Sequence, residues 1–258
     1  MARKNKTSAA LAVFNWKMNP ATLKEAKALL KKLESVKNPI VICPPDSFLY
    51  ALKSETKSRK ISFGAQNAAE KTTGSLTGET SAPMSESVGA KYCIVGHSER
   101  RKHFANTNKR IADQLAEVCE TKMTPILCFG ETIRDEQGHY IQDLQDQITT
   151  AISKLNSTDK KRVVFAYEPI WAIGNQAKRP ITDEELFSTI ILIRKILSDL
   201  VGKKPSQDAV ILYGGSVSAD NVAALAAVQG IGGFLVGRAS LDETSVTAIA
   251  EEVSKLSV

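Results

Sequence analysis

The stretch Val163-Val164-Phe165-Ala166-Tyr167-Glu168-Pro169-Ile170-Trp171-Ala172-Ile173-Gly174 decides the fold. Its opening residues are apolar without interruption, the pattern of a strand buried on both faces of a parallel sheet. A carboxylate, a proline and an apolar loop bearing a glycine come next. Leu186, Ile190, Ile193 and Leu197 then recur in steps of three and four, which places them on one face of a helix. The unit is therefore strand, loop, helix, with a polar side chain where the strand ends.

The same unit recurs along the chain. Further apolar runs are Ala9–Phe14, Pro39–Cys43, Ile61–Phe63, Tyr92–Val95, Thr124–Phe129, Ala209–Leu212 and Gly233–Val236. Helical stripes lie between them: Leu23, Ala26, Leu30 and Leu33, with Asn19-Pro20 expected as cap and first turn; Ile111, Leu115 and Val118; Ile141, Leu144, Ile148, Ile152 and Leu155; and Val246, Ile249, Val253 and Leu256. Right-handed crossovers allow an open doubly wound sheet or a closed (β/α)8 barrel. Eight units in 258 residues, with no linker or second composition zone, predict one (β/α)8 TIM barrel domain over residues 1–258.

Composition narrows the function classes. Lys plus Arg is 34 and Asp plus Glu 28, a formal charge of +6, with 43% hydrophobic residues. That is globular rather than disordered composition. No apolar run reaches the ~18 residues of a membrane helix, and the basic start is not followed by a secretory pattern. Cys43, Cys93, Cys119 and Cys128 show no Cys-x-x-Cys spacing, so no metal site is expected and no cofactor is implied. They read as reduced thiols in a cytoplasmic protein. The excess charge is compatible with nucleic acid, a membrane surface or an anionic small substrate.

A barrel keeps its chemistry at the C-terminal ends of its strands. There stand Asn15 and Lys17, His97 and Glu99, Glu168, Gly214-Gly215-Ser216 and Gly237-Arg238. Glu168 under an apolar loop suits a base shielded from water, or else a surface ion pair. His97, followed by Ser98 and Glu99 in a first helical turn, feels the positive end of that helix, which favours the neutral ring. By itself it also reads as a capping or core histidine. Lys17 is an anion partner or one solvated lysine among many. The two glycine segments suit phosphate bound by backbone N–H groups, or plain tight turns; neither completes a Walker or dinucleotide motif.

Taken together, these stretches resemble the triosephosphate isomerase family from end to end. The matching segments are Phe14-Asn15-Trp16-Lys17-Met18-Asn19, Gly64-Ala65-Gln66-Asn67, Leu76-Thr77-Gly78-Glu79, Val95-Gly96-His97-Ser98-Glu99-Arg100-Arg101, Cys128-Phe129-Gly130-Glu131, Ala166–Gly174, Tyr213-Gly214-Gly215-Ser216-Val217 and Phe234-Leu235-Val236-Gly237. The resemblance implies an enzyme interconverting dihydroxyacetone phosphate and D-glyceraldehyde 3-phosphate through an enediolate, in glycolysis and gluconeogenesis. It implies Glu168 as the base, neutral His97 as the group that polarises the carbonyl, and Lys17 as the partner of negative charge. Asn15 would orient the site, Glu99 would support Lys17, and Ser98 would hold Glu168 while the lid is open. Gly174, Ser216 and Gly237 would grip the phosphate. Pro169, Trp171 and Ile173 would belong to the lid, with Ile173 and Leu235 as an apolar clamp. It also implies a homodimer in which Thr77 reaches the partner's site, and neither nucleic acid nor membrane as partner.

Three departures from that family stand out. Asn175-Gln176-Ala177-Lys178-Arg179-Pro180 replaces the usual Thr-Gly-Lys-Thr-Ala, with two extra residues before a helix expected near Thr182 and a stiffening proline at 180. Arg238 replaces a glycine, with its side chain either turned outward or adding charge near the phosphate. Gly232 stands where an acidic residue is common, so an ion pair is missing. Competing readings are another sugar-phosphate barrel enzyme, which leaves the combination of Asn15, Lys17, His97 and Glu168 unexplained, and a non-catalytic binding protein, which predicts the loss of one of them.

Overall fold

The computed structural model describes residues 10–174, 177 and 179–256. Ala9 of the first predicted strand, the loop residues Asn175, Gln176 and Lys178, and the chain ends lie outside the described residues. Eight parallel strands close on themselves: β1 Leu11–Asn15, β2 Ile40–Cys43, β3 Ile61–Ala65, β4 Tyr92–Val95, β5 Thr124–Phe129, β6 Val164–Tyr167, β7 Ile211–Tyr213 and β8 Gly233–Val236. Closure comes from β1 pairing with both β2 and β8, with Val13 opposite Val41 on one side and Leu235 on the other. The chain is a (β/α)8 barrel, and the open doubly wound alternative falls away.

The helices are α1 Leu23–Leu33, α2 Asp46–Glu55, α3 Ala82–Ser87, α4 Ser98–Phe104, α5 Asn108–Cys119, α6 His139–Ile152, α7 Ser157–Lys160, α8 Asp183–Val201, α9 Lys203–Asp208, α10 Val222–Ala226 and α11 Glu243–Ser254. Two features differ from the sequence expectation. α1 is capped by Thr22, not by Asn19-Pro20: the Thr22 hydroxyl accepts from the Glu25 N–H while the Glu25 carboxylate accepts from the Thr22 N–H. That reciprocal box satisfies two backbone donors at once, which Asn19 ahead of a proline cannot match. Ile141 lies in the first turn of α6 and is exposed, whereas Leu144, Ile148 and Ile152 are buried.

The continuous apolar runs have a direct cause: each strand packs on both faces. Alternate residues point inward, where Val13, Val41, Ile94, Ile126, Val164, Ala166, Leu212 and Leu235 fill the barrel. The other set, including Phe14, Phe63, Phe129 and Phe165, meets the helices. The inward register carries straight into the site, since Asn15 continues the Val13 row and Glu168 the Val164 and Ala166 row. The four cysteines are buried and unpaired, and burial pushes the thiols of Cys43, Cys93 and Cys128 up, which keeps them protonated. Among the described residues no helix is long and apolar enough to cross a membrane.

Candidate active site

Asn15 closes β1 and is buried; its side-chain oxygen accepts from the Lys17 N–H at 2.9 Å. That turn forces Lys17 to a φ of +53°, a left-handed conformation that costs a residue with a Cβ of order 1 kcal/mol. Gln66 stabilises it, donating from one nitrogen to the Lys17 carbonyl at 2.8 Å and to the Cys43 carbonyl at 2.9 Å. The result throws the Lys17 ammonium across the barrel mouth to the Glu99 carboxylate, at 2.5 Å. Burial works against the charge on Glu99, yet the Lys17 hydrogen bond and ammonium charge hold its carboxyl below the usual range.

His97 is the N-cap of α4. Its Nδ1 accepts from the Glu99 N–H at 3.2 Å, so the ring proton sits on Nε2. Nε2 faces the Glu168 Oε1 at 3.2 Å, and both side chains are buried. The other Glu168 oxygen accepts from the backbone N–H of Ser98 at 2.9 Å. One run of contacts therefore joins Lys17, Glu99, His97 and Glu168. Arg101 locks the turn beneath them, donating to the carbonyls of Gly96 and Cys128 and to Asn108.

The glycine segments border the same cluster. A Cβ at Gly214 would lie 2.9 Å from the Glu168 Cγ, so any side chain there displaces the carboxylate. A Cβ at Gly237 would lie 3.2 Å from the Lys17 Cε. Bare backbone thus flanks a base on one side and an ammonium on the other, with Ser216 and Gly174 exposed nearby in sequence. Among the described residues no group of three or more His, Cys, Asp or Glu side chains is placed to hold a metal.

Comparison with known proteins decides the relationship. The family model for triosephosphate isomerase matches residues 10–253. The chain is 39% identical to the triosephosphate isomerase of Cytophaga hutchinsonii over 92% of this chain and 96% of that one. It is 37% identical to the Clostridium botulinum strain Langeland protein of that name (93% and 98% covered), and 36% to that of Chlamydia muridarum (97% and 93%). The chain belongs to the triosephosphate isomerase family.

Within that family frame, the structure adds two residues to which the sequence assigned no role. Gln66 supports the strained Lys17, as above. Glu131 is fully buried after β5, and one of its oxygens accepts from the Tyr167 hydroxyl at 2.8 Å, the Trp171 indole at 2.8 Å and Arg134 at 3.1 Å. Both belong to quoted motifs, but their signal is a contact between distant segments, which no local spacing reveals. Of the expected clamp pair, Leu235 is buried inside the barrel and Ile173 is half-buried on the loop after β6. Thr77 is exposed on a loop whose base is closed by the Ala69 N–H to Thr80 carbonyl bond. Arg238 is exposed, opening the 3-10 turn Arg238–Leu241. Gly232 packs where a Cβ would meet Val210 and the Ile211 backbone at 2.9–3.2 Å, so an acidic side chain has no room there.

Proposed function

We propose that this barrel mouth interconverts dihydroxyacetone phosphate and D-glyceraldehyde 3-phosphate by proton transfer between adjacent carbons. The observation that carries the reading is the pairing of two buried groups, the Glu168 carboxylate and the His97 Nε2–H, 3.2 Å apart. Glu168 removes a proton from the carbon beside the carbonyl, and the electron pair moves onto the carbonyl oxygen. His97 Nε2–H donates to that oxygen as its charge grows, and exchanges protons between the two oxygens of the enediolate. Glu168 returns a proton to the neighbouring carbon, so atoms and charge balance and no cofactor is consumed.

Lys17, aligned by Glu99, Asn15 and Gln66, stabilises the negative charge of substrate and enediolate. Backbone N–H groups at Gly174, Ser216 and Gly237 receive the phosphate, with Arg238 adding positive charge beside it. The stretch carrying Pro169, Trp171 and Ile173 folds inward as a lid, with Ile173 meeting Leu235, and excludes water from the intermediate. Closure takes Glu168 from the Ser98 N–H to the substrate. The test is isomerisation in deuterated water. We expect turnover of either triose phosphate with deuterium entering at the carbon that was the carbonyl, and loss of both in Glu168→Ala. Full activity in Glu168→Ala overturns the mechanism.

The working form is a homodimer in a reducing cytoplasm. Met18, Tyr50 and Met84 are large apolar side chains left 91%, 66% and 53% exposed. Two of them, Tyr50 and Met84, line a groove of about 280 Å³ with Asp46, Leu49 and Thr80, suited to the Thr77 loop of a second copy. Sedimentation at micromolar concentration checks this; a monomer with full activity refutes the need for the partner loop.

A further inference from the structure

The departure from the family at residues 175–180 leaves a described side chain, Arg179, that makes an unusual set of contacts. Its two terminal nitrogens grip Glu185 as a fork, Nη1 to Oε2 at 2.7 Å and Nη2 to Oε1 at 2.6 Å. Glu185 is already fixed, because its carboxylate also accepts from the Thr182 N–H at 2.9 Å in the capping box of α8. The central carbon of the same guanidinium lies over the Trp171 ring, 4.9 Å from its centroid. A guanidinium donates in its plane and stacks through its face, so the two contacts do not compete.

Trp171 belongs to the other end of the loop. Its indole N–H donates to the buried Glu131, and the Ile170 N–H donates to the Glu131 carbonyl at 3.1 Å. One guanidinium therefore bridges the segment leaving Glu168 and the segment entering α8. Gly174, between them, is exposed at φ +74°, and a Cβ placed there would meet nothing within 4 Å. Glu168 meanwhile rests on the Ser98 N–H. The bridge is therefore present while Glu168 rests on the Ser98 N–H, which on the lid reading above is the open arrangement.

We propose that Arg179 is a positioning residue that ties the two ends of this loop together and so weights the open arrangement over the closed one. Resting on the lid reading above, it deepens it: an inward swing that carries Trp171 away from α8 must part the ring from the guanidinium. A planar fork is required for both contacts, so lysine does not replace it.

The experiment is binding of inorganic phosphate, read by Trp fluorescence and as competitive inhibition. In Arg179→Met, which keeps the apolar stem, the phosphate dissociation constant and KM are expected to fall by about three- to tenfold, the size set by one exposed stack and one exposed ion pair. kcat falls too, because reopening is slowed. Arg179→Lys gives most of the same change. Glu185→Gln keeps the helix cap, since glutamine serves the box equally, and in the double variant adds little to Arg179→Met. Unchanged phosphate affinity and KM in a folded Arg179→Met overturn the proposal, as does full rescue by lysine. Fluorescence titration reads the bridge even if no isomerisation is found, so failure of the proposed reaction is distinguishable from failure of this inference.

Discussion

The turn after β4 and the loop after β6 hold the two side chains that face each other, and they are built in opposite ways. After β4 the chain enters α4 at once, with His97 itself as the cap, its ring nitrogen on the Glu99 N–H. Arg101 fastens that turn to backbone carbonyls of Gly96 and Cys128. After β6 the chain runs from Glu168 to Thr182 before α8 begins, held at its ends by Trp171 on Glu131 and by Arg179 on Glu185. The first region fixes His97 Nε2 on a short, hydrogen-bonded turn; the second carries Glu168 into the stretch proposed above as the lid. On that proposal, positioning and gating are separated between two strands, while Glu168 and His97 stay 3.2 Å apart.

The sharpest test of that separation is His97→Asn. Asparagine is a strong N-cap and can accept the Glu99 N–H, so α4 should survive. The imidazole proton at Glu168 is lost, and kcat is expected to fall by about a hundredfold or more, in the range of general acid–base contributions. Steady-state kinetics with a thermal melt check it. An unfolded variant would show that the ring serves the turn rather than the reaction; a folded and fully active one would remove His97 from the chemistry.

A second test moves to the loop after β6. Glu131→Ala strips a buried acceptor from Tyr167, Trp171 and Arg134 together. Leaving those donors unpaired is expected to cost about 3 kcal/mol of stability. The loss is read by urea unfolding and is accompanied by a change in Trp171 emission. A loss below about 1 kcal/mol would mean that water replaces the carboxylate at little cost, and that the loop's leading end is not anchored there.

The same contrast governs what the sequence alone revealed. Tyr92–Val95, Thr124–Phe129 and Gly233–Val236 match β4, β5 and β8 residue for residue. Burial on both faces writes an unbroken apolar run that polar flanks cut off sharply. β1 runs one residue further, to Asn15, and β7 starts at Ile211 rather than Ala209, because ladder pairing and not hydrophobicity sets those ends. Candidate site residues were legible at the ends of such runs: Asn15 and Glu168 directly after them, His97 one glycine later. Gln66 and Glu131 were not, since their partners are Lys17 and Cys43 in one case and Tyr167, Trp171 and Arg134 in the other. The cap of α1 was legible in Thr22-x-x-Glu25, but Asn19-Pro20 imitates a start signal three residues earlier.

The smallest expected effect separates the two regions by chemistry. The ties of Arg101 after β4 are to carbonyls and an amide, none of which titrates. The tie of Arg179 after β6 is to a carboxylate, and that fork, against a smaller opposing effect of burial and with help from the Thr182 N–H, lowers the Glu185 pKa from 4.5 to about 2. A carboxyl depressed in the folded state stabilises it fully above the unfolded pKa, and the contribution is lost as pH falls through the folded one. The urea midpoints of the native chain and Arg179→Met should therefore differ by a constant small amount above about pH 5 and converge between there and pH 2. Exposure of the pair keeps that gap small, and added salt should shrink it further. A gap that persists unchanged at pH 2 would mean that the guanidinium acts through its stack on Trp171 alone, and the loop after β6 would then be tied, like the turn after β4, by contacts that pH does not touch.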